Sequence, residues 1–195
     1  MNTREHTTMK MRGNPDISYL GHTVDQMIWS FMEQEKIDGL TLAIVQAPYI
    51  PRVAGYGYSD SQRRRLASPN TMWSAGPISQ AFAAVAVMQL HEDGGLDVNR
   101  RASVHIPELP DTWNDITVLQ LLRHASGLPD YRRAAEFSPD TPWTFDALLQ
   151  LAARNPLHFV PGTDVEQSAT NFLLLTEIVE RVSGLSYHDF VTKRQ

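Results

Sequence analysis

The chain has 195 residues, of which 42% are apolar and 20% charged, and a formal net charge of -5. This balance is typical of a soluble globular domain, and the negative charge argues against nucleic acid as a partner. The sequence has no cysteine, which excludes disulfides, thiol catalysis and cysteine-ligated metals. Residues 1–16 lack an apolar signal core, and no apolar run approaches the roughly 20 residues that span a bilayer. We therefore expect a cytoplasmic protein without membrane contact, while a processed secreted form stays open.

The first half of the chain predicts one helix and one hairpin. Thr23 marks a helix start, because Gln26 three residues later completes a capping box. The branched apolar run 40–47 and the glycine-containing run 53–58 predict two strands, which a turn at residues 49–51 would join.

From residue 73 onward the pattern predicts helices only. The segment 82–90 is apolar on nearly every side, which is typical of a buried helix, and the Gly94-Gly95 pair ends it. Further helices are predicted at 117–124, which begins with a second capping-box pattern at Thr117 and Gln120, and at 144–154, 168–182 and from residue 188. One helix, one hairpin and then a set of helices indicate an α+β fold.

We interpret residues 1–20 as a flexible leader and residues 21–195 as one domain. Within that domain, residues 21–72 hold the helix and the hairpin, and residues 73–195 form the helical part. A two-stranded hairpin is marginally stable alone, and its open edges invite pairing. We therefore expect the leader, a second copy of the chain or a partner chain to cover the hairpin edge.

Several stretches follow one another in a characteristic order, at residues 86–90 with 94–97, 116–131, 161–163 and 170–175 with 177–184. Together they resemble the class C β-lactamase-like serine hydrolases, which include penicillin-binding-protein-like peptidases and β-lactamase-fold esterases. The resemblance covers roughly residues 23–192. It implies a partial β-lactamase/transpeptidase-like fold, with the N-terminal helix, the hairpin and the mostly helical domain but without the C-terminal sheet strands.

The resemblance also places the family's Ser-x-x-Lys motif at the start of the buried helix. Aligned on Gly76 and Phe82, the nucleophilic serine corresponds to Pro77 and the lysine that removes its proton corresponds to Gln80. Proline carries no nucleophile, and a glutamine amide is neutral. Proline is nevertheless favoured in a first helical turn, and glutamine is a good helix former. The helix start can therefore persist without the chemistry.

A second family motif, Tyr-x-Asn, follows the Pro-Gly-Thr stretch at 161–163. Its tyrosine and asparagine positions correspond to Gln167 and Ala169 in this chain. The family's third element, a strand edge with a Lys-Thr-Gly-like or His-x-Gly-like pattern, lies beyond the matched region. The resemblance therefore implies that three parts of the catalytic site are missing.

Two nearby serines are weak candidates for a substitute nucleophile. Ser74 precedes the helix, and Ser79 lies about 200° around the helix from Pro77, so it should point away from the site. A serine also needs an activating base, and none is evident. His124, Ser126 and Asp130 contain the residue types of a catalytic triad, but their closeness in sequence favours a structural role.

These observations favour a catalytically inactive protein that acts by binding a small molecule, a partner chain or a second copy. Gln80 and Gln167 are the candidate ligand-binding residues, with a mutual hydrogen bond or water contacts as the simpler interpretation. Two alternatives stay open. One is a serine-type esterase, amidase or β-lactamase-like hydrolase with a non-standard nucleophile or a site completed by another chain. The other is a truncated, non-functional fragment. We expect no cofactor and no metal.

Overall fold

The computed structural model describes residues 11–14, 16–46 and 49–195. The chain divides into two compact units, residues 1–74 and residues 75–195. In these described ranges, the first unit contains strands and one helix, and the second contains helices. The α+β prediction is therefore confirmed.

The helix of the N-terminal unit, α1, spans Val24–Glu35. Its start is the predicted capping box: the Thr23 hydroxyl accepts from the Gln26 N–H, and the Gln26 side chain accepts from the Thr23 N–H. The helix ends at Lys36, which adopts the left-handed conformation. The local signal in the sequence thus predicted this helix start correctly.

Two antiparallel sheets accompany α1. The strands are β1 (Met11–Gly13), β2 (Ser18–Tyr19), β3 (His22–Thr23), β4 (Gly39–Gln46), β5 (Tyr49–Asp60) and β6 (Arg65–Leu66). Strand β5 pairs with β4, β1 and β6, while β2 pairs with β3. The predicted hairpin is the β4–β5 pair. Residues 49–51 belong to β5 instead of the predicted turn, and residues 47–48 lie outside the described part of the chain.

The expected leader contributes structure to the sheet. Residues 11–13, which we expected to be flexible, pair with residues 52–54 of β5. The pairing satisfies backbone groups along a β5 edge that β4 does not reach. Residues 1–10 of the leader lie outside the described residues. Among the residues described, β4 pairs with β5 alone. The prediction that a second copy or a partner chain covers the hairpin edge therefore applies to the edge of β4 that faces away from β5.

A buried charge ties α1 to β5 within this unit. The Arg52 side chain is 2% exposed, and its guanidinium donates to the carboxylate of Asp25 on α1. The Tyr56 hydroxyl donates to the same carboxylate oxygen at 2.7 Å. Burial raises the pKa of Tyr56, and the negative charge of Asp25 acts in the same direction. A small apolar cluster of Met32, Ala54 and Tyr56 lies beside this group.

The helices of the C-terminal unit are α2 (Ser79–Glu92), α3 (Val118–Leu122), α4 (Phe145–Ala153), α5 (Ala169–Ser183) and α6 (Tyr187–Arg194). Helix α5 forms the centre, and the other four pack against it or against one another. Its inner face is fully buried at Leu174, Leu175, Ile178 and Val179. Serine or threonine side chains cap the starts of α3 to α6, including the predicted Thr117/Gln120 capping box.

Against the residues that the structure describes, helix α2 is buried on one side only, whereas we expected it to be buried all round. Ala83, Ala86, Val87 and Leu90 lie in the core, where α2 contacts α5. On the opposite side Phe82, Val85 and Met88 are 49%, 48% and 39% exposed. An apolar sequence shows that both sides can be buried, but it does not show which neighbours are present.

Candidate functional site

The start of α2 adopts a proline-initiated turn. Residues Gly76–Ile78 form a single 3-10 turn with Pro77 near its start, and the α-helix continues from Ser79. Gly76 has a positive φ of 50°, which suits glycine. The Ser79 hydroxyl donates to the Gly76 carbonyl at 2.6 Å and closes the turn. The proline, the glycine and this hydrogen bond therefore all favour the helix start.

The two residues that the resemblance aligns with the Ser-x-x-Lys motif carry no reactive group. Pro77 is exposed and has no side-chain donor, acceptor or nucleophile. Gln80 lies one helical turn later and is partly exposed. Its amide can donate and accept hydrogen bonds but cannot take a proton near neutral pH. Among the described residues, no hydrogen bond joins Gln80 to Gln167.

The two residues that the resemblance aligns with the Tyr-x-Asn motif, Gln167 and Ala169, lie at the start of α5. Gln167 is exposed and immediately precedes Ser168, whose hydroxyl caps the helix by accepting from the Thr170 N–H. Ala169 is 9% exposed. A buried methyl group at position 169 offers no amide to a ligand, so only Gln167 of this pair can contact one.

The structure gives the substitute nucleophiles no support. The hydroxyl of Ser79 donates to a backbone carbonyl, and no lysine, histidine or carboxylate in the described part of the chain accepts its proton. Ser74 lies in the other unit, in an exposed loop at its C-terminal end.

His124, Ser126 and Asp130 do not form a triad. Ser126 is completely buried, and its hydroxyl donates to Oδ1 of Asn171 at 2.5 Å. Nδ1 of His124 accepts from the backbone N–H of Ser168 at 3.3 Å and from the Asn171 amide at 3.0 Å. Because Nδ1 is an acceptor, the neutral imidazole carries its proton on Nε2. These side chains join the 124–130 segment to α5 and thus have a structural role.

An open cleft of about 430 Å³ lies in front of Gln167. Its lining residues are Asp130, Arg132, Arg133, Glu166 and Gln167. The resemblance implies that both amides face one pocket, but the lining of this cleft contains Gln167 without Gln80.

One side of the cleft is a buried carboxylate held by an arginine. Asp130 is 8% exposed, and both its oxygens accept from Arg132, with Nε at 3.0 and 3.1 Å and Nη2 at 2.6 Å. Burial alone would raise the pKa of Asp130, but the N–H groups of Arg132 and Ala169 outweigh it and lower the pKa. This carboxylate is therefore ionised and fully paired near neutral pH.

The other side is a surface ion pair. Arg133 donates from Nη1 to Oε1 of Glu166 at 2.7 Å, and Nδ1 of His158 lies 2.6 Å from Oε2 of the same carboxylate. The hydrogen bonds from His158 and then Arg133 lower the pKa of Glu166. The four charges that line the cleft consequently cancel in pairs.

Most of these cleft residues carried no functional signal in the sequence. The sequence shows that Arg132 and Arg133 are adjacent after Tyr131. It does not show that Arg133 pairs with Glu166, because the two lie 33 residues apart. Only the structure brings the two arginines together with Gln167. No helix in the described part of the chain is long and apolar enough to cross a membrane. The same residues contain no group of three or more histidine and carboxylate side chains that could hold a metal.

Comparison with known proteins identifies the family of this chain. The sequence model described as Beta-lactamase matches residues 24–194. Protein flp of Staphylococcus aureus strain N315 is 28% identical over 173 residues, which are 87% of this chain and 35% of that protein. The chain thus spans about a third of the length of this curated relative.

Solved structures show the same fold. The octameric penicillin-binding protein homologue from Pyrococcus abyssi aligns with a TM-score of 0.72 and 26% identity, over 87% of this chain and 41% of that one. A point mutant of a class C β-lactamase aligns with a TM-score of 0.71 and 26% identity, over 88% of this chain and 46% of that one. These matches confirm the β-lactamase/transpeptidase-like fold in partial form. The chain belongs to the beta-lactamase family.

Proposed function

We propose that this chain is a non-hydrolysing member of the beta-lactamase family, a pseudoenzyme that binds a small ligand. The observation that carries the proposal is Pro77, which the family resemblance aligns with the nucleophile and which lies in a well-formed helix start. The neutral Gln80 and the buried methyl group of Ala169 support it, because neither can replace a base or a substrate-binding amide. A cytoplasmic location is part of the proposal, and the lack of cysteine agrees with a reducing compartment.

The open polar cleft beside Gln167 supports the binding part of the proposal. It lies at the start of α5, beside a motif position that the family resemblance links to catalysis. Its side chains are charged or carry an amide, and the charged ones are held by hydrogen bonds to one another. Such groups can orient a polar ligand without reacting with it.

Intact-protein mass spectrometry tests the absence of a nucleophile. The protein is incubated with a penicillin and, separately, with a fluorophosphonate, and a class C β-lactamase serves as the positive control. We expect no mass increase in this chain under conditions that label the control completely. The penicillin is relevant because one structural relative is named a penicillin-binding protein homologue.

A stoichiometric adduct at a serine would overturn the proposal in favour of the hydrolase alternative. Peptide mapping and the Ser74→Ala and Ser79→Ala variants would then identify the nucleophile. The fragment alternative predicts that the chain does not unfold cooperatively, and a cooperative transition in urea would contradict it.

A further inference from the structure

Arg133 has an unused hydrogen-bonding edge. A guanidinium presents Nε and Nη2 side by side, and this edge matches the two oxygens of a carboxylate. The carboxylate of Glu166 accepts a hydrogen bond from Nη1 of Arg133. The Nε/Nη2 edge of Arg133 has no partner among the described residues. The Arg133 side chain is 64% exposed at the cleft, so a ligand from solvent can reach it.

The neighbouring arginine shows the geometry that this edge can form. Arg132 uses its own Nε/Nη2 edge to bind both oxygens of Asp130. Its Nη1 group has no hydrogen-bond partner in the described part of the chain. The cleft therefore presents free N–H groups from two adjacent guanidinium groups.

The carboxylates of the cleft already accept hydrogen bonds from protein groups. Both oxygens of Asp130 accept from Arg132, and its side chain is 5% exposed. The two oxygens of Glu166 are engaged by Arg133 and His158. A cationic ligand would find no uncommitted carboxylate among these lining residues, whereas an anionic ligand would find free donors. Because the lining charges cancel in pairs, a single negative charge fits better than a double one.

We propose that this cleft binds a small monocarboxylate, with the Nε/Nη2 edge of Arg133 holding the carboxylate and Arg132 Nη1 and the Gln167 amide adding hydrogen bonds. The proposal rests on the non-covalent binding function proposed above and names its ligand class. The contacts are solvent-exposed, so the expected dissociation constant is on the order of millimolar.

Titration by two-dimensional NMR tests the proposal with three probes: benzoate, its neutral analogue benzamide, and inorganic phosphate. We expect saturable shifts of the Arg132, Arg133 and Gln167 amides with benzoate, and at least about tenfold weaker binding of benzamide. Phosphate should bind more weakly than benzoate. Equal binding of benzoate and benzamide, tighter binding of phosphate, or no saturation with benzoate would each overturn the proposal.

Variants separate the bidentate edge from simple charge. Arg133→Gln and Arg133→Lys should each weaken benzoate binding by at least about fivefold, because lysine keeps the charge but lacks the planar edge. Arg154→Gln is the matched control, since Arg154 is 58% exposed and forms a similar surface pair with Glu136. Unchanged affinity in both Arg133 variants, or an equal loss in Arg154→Gln, would contradict the assignment. Equal urea midpoints for the variants establish that the fold is retained.

The proposed function and this inference can fail separately. A serine adduct in the mass experiment would overturn the non-hydrolysing role but would not alter the dependence of benzoate binding on Arg133. Absence of benzoate binding would overturn the ligand class and would leave the adduct result unchanged.

Discussion

At the residue scale, His124 holds two segments of the C-terminal unit together through one ring nitrogen. Nδ1 accepts from the Ser168 N–H at the start of α5 and from the amide of Asn171. Both hydrogen bonds require that Nδ1 carries no proton. Burial lowers the pKa of His124, and the charge of Asp130 opposes this only in part. The folded protein therefore takes up this proton less readily than the unfolded chain does.

This imidazole predicts that stability decreases in mild acid. A histidine whose pKa is lowered in the folded protein makes its full contribution to stability at pH values above 6.5, the ordinary pKa of histidine. That contribution is lost as the pH falls from 6.5 towards the pKa of the folded state. We expect the free energy of unfolding in urea to fall with pH in this range, by at most about 1.4 kcal/mol per pH unit for each histidine.

His124→Asn is the informative variant, because asparagine tolerates the positive φ of 55° at this position. The variant should show a shallower pH dependence than the unmodified chain, whatever its absolute stability. Some slope will remain, since burial also lowers the pKa of His105. An unchanged slope in His124→Asn would contradict the role assigned to its Nδ1.

The sequence indicated the helix start at Pro77 and Gln80, but it did not indicate the contacts of the cleft. Both positions came from the family resemblance, aligned on Gly76 and Phe82, and their role in a site stays a prediction. The partners Ser126 and Asn171 lie 45 residues apart, and Arg133 and Glu166 lie 33 apart. Such pairs depend on how α5 packs against the preceding segment, which no local pattern records.

At the element scale, capping residues predicted helix starts more reliably than apolar patterns predicted burial. The boxes at Thr23/Gln26 and Thr117/Gln120 are present as expected. Strand β1 was missed, because three residues are too few to show alternation. The apolar pattern of α2 indicated a buried helix, but the helix has a neighbour on one side only in the described part of the chain.

Gly127 tests the close approach of two loops. Its φ is +75°, and a Cβ there would lie 2.3 Å from the backbone oxygen of Phe159. Gly184 is a matched control with a φ of +69° and open space around its Cβ position. We expect Gly184→Ala to cost about 1–2 kcal/mol from backbone strain alone. Gly127→Ala should cost clearly more in urea unfolding, and equal costs would contradict the close contact.

The two sides of α2 can be compared with one substitution type. Val87 is fully buried, whereas Val85 is 48% exposed. Replacing valine by threonine keeps the shape and exchanges one methyl group for a hydroxyl, so Val87→Thr should destabilise the protein by about 1–3 kcal/mol. Val85→Thr should change the stability by less than about 0.5 kcal/mol. A comparable loss at both positions in urea unfolding would show that the outer side of α2 is covered in solution.

At the scale of the whole molecule, the two units differ greatly in the size of their apolar cores. The C-terminal unit contains a buried cluster that draws on α2 to α6 and on the segments between them. The described cluster of the N-terminal unit has Met32, Ala54 and Tyr56 as its buried members. Apolar burial is the main source of stability, so the two units should open with different free energies.

Hydrogen–deuterium exchange followed by mass spectrometry measures this difference. We expect peptides from α5 to exchange at least about tenfold more slowly than peptides from β4, which corresponds to about 1.4 kcal/mol in opening free energy. The comparison uses one sample and one time course, so solvent conditions cancel. Equal protection of α5 and β4 would show that the chain opens as one cooperative unit.

The proline turn before α2 also bears on how such a chain evolves by point mutation. Gly76, Pro77 and the Ser79 hydroxyl fix the backbone there without help from the side chain at position 80. In the genetic code, one nucleotide change converts any proline codon to serine, and one converts any glutamine codon to lysine. The Ser-x-x-Lys pattern is therefore only two point mutations away from this helix, in either direction of descent.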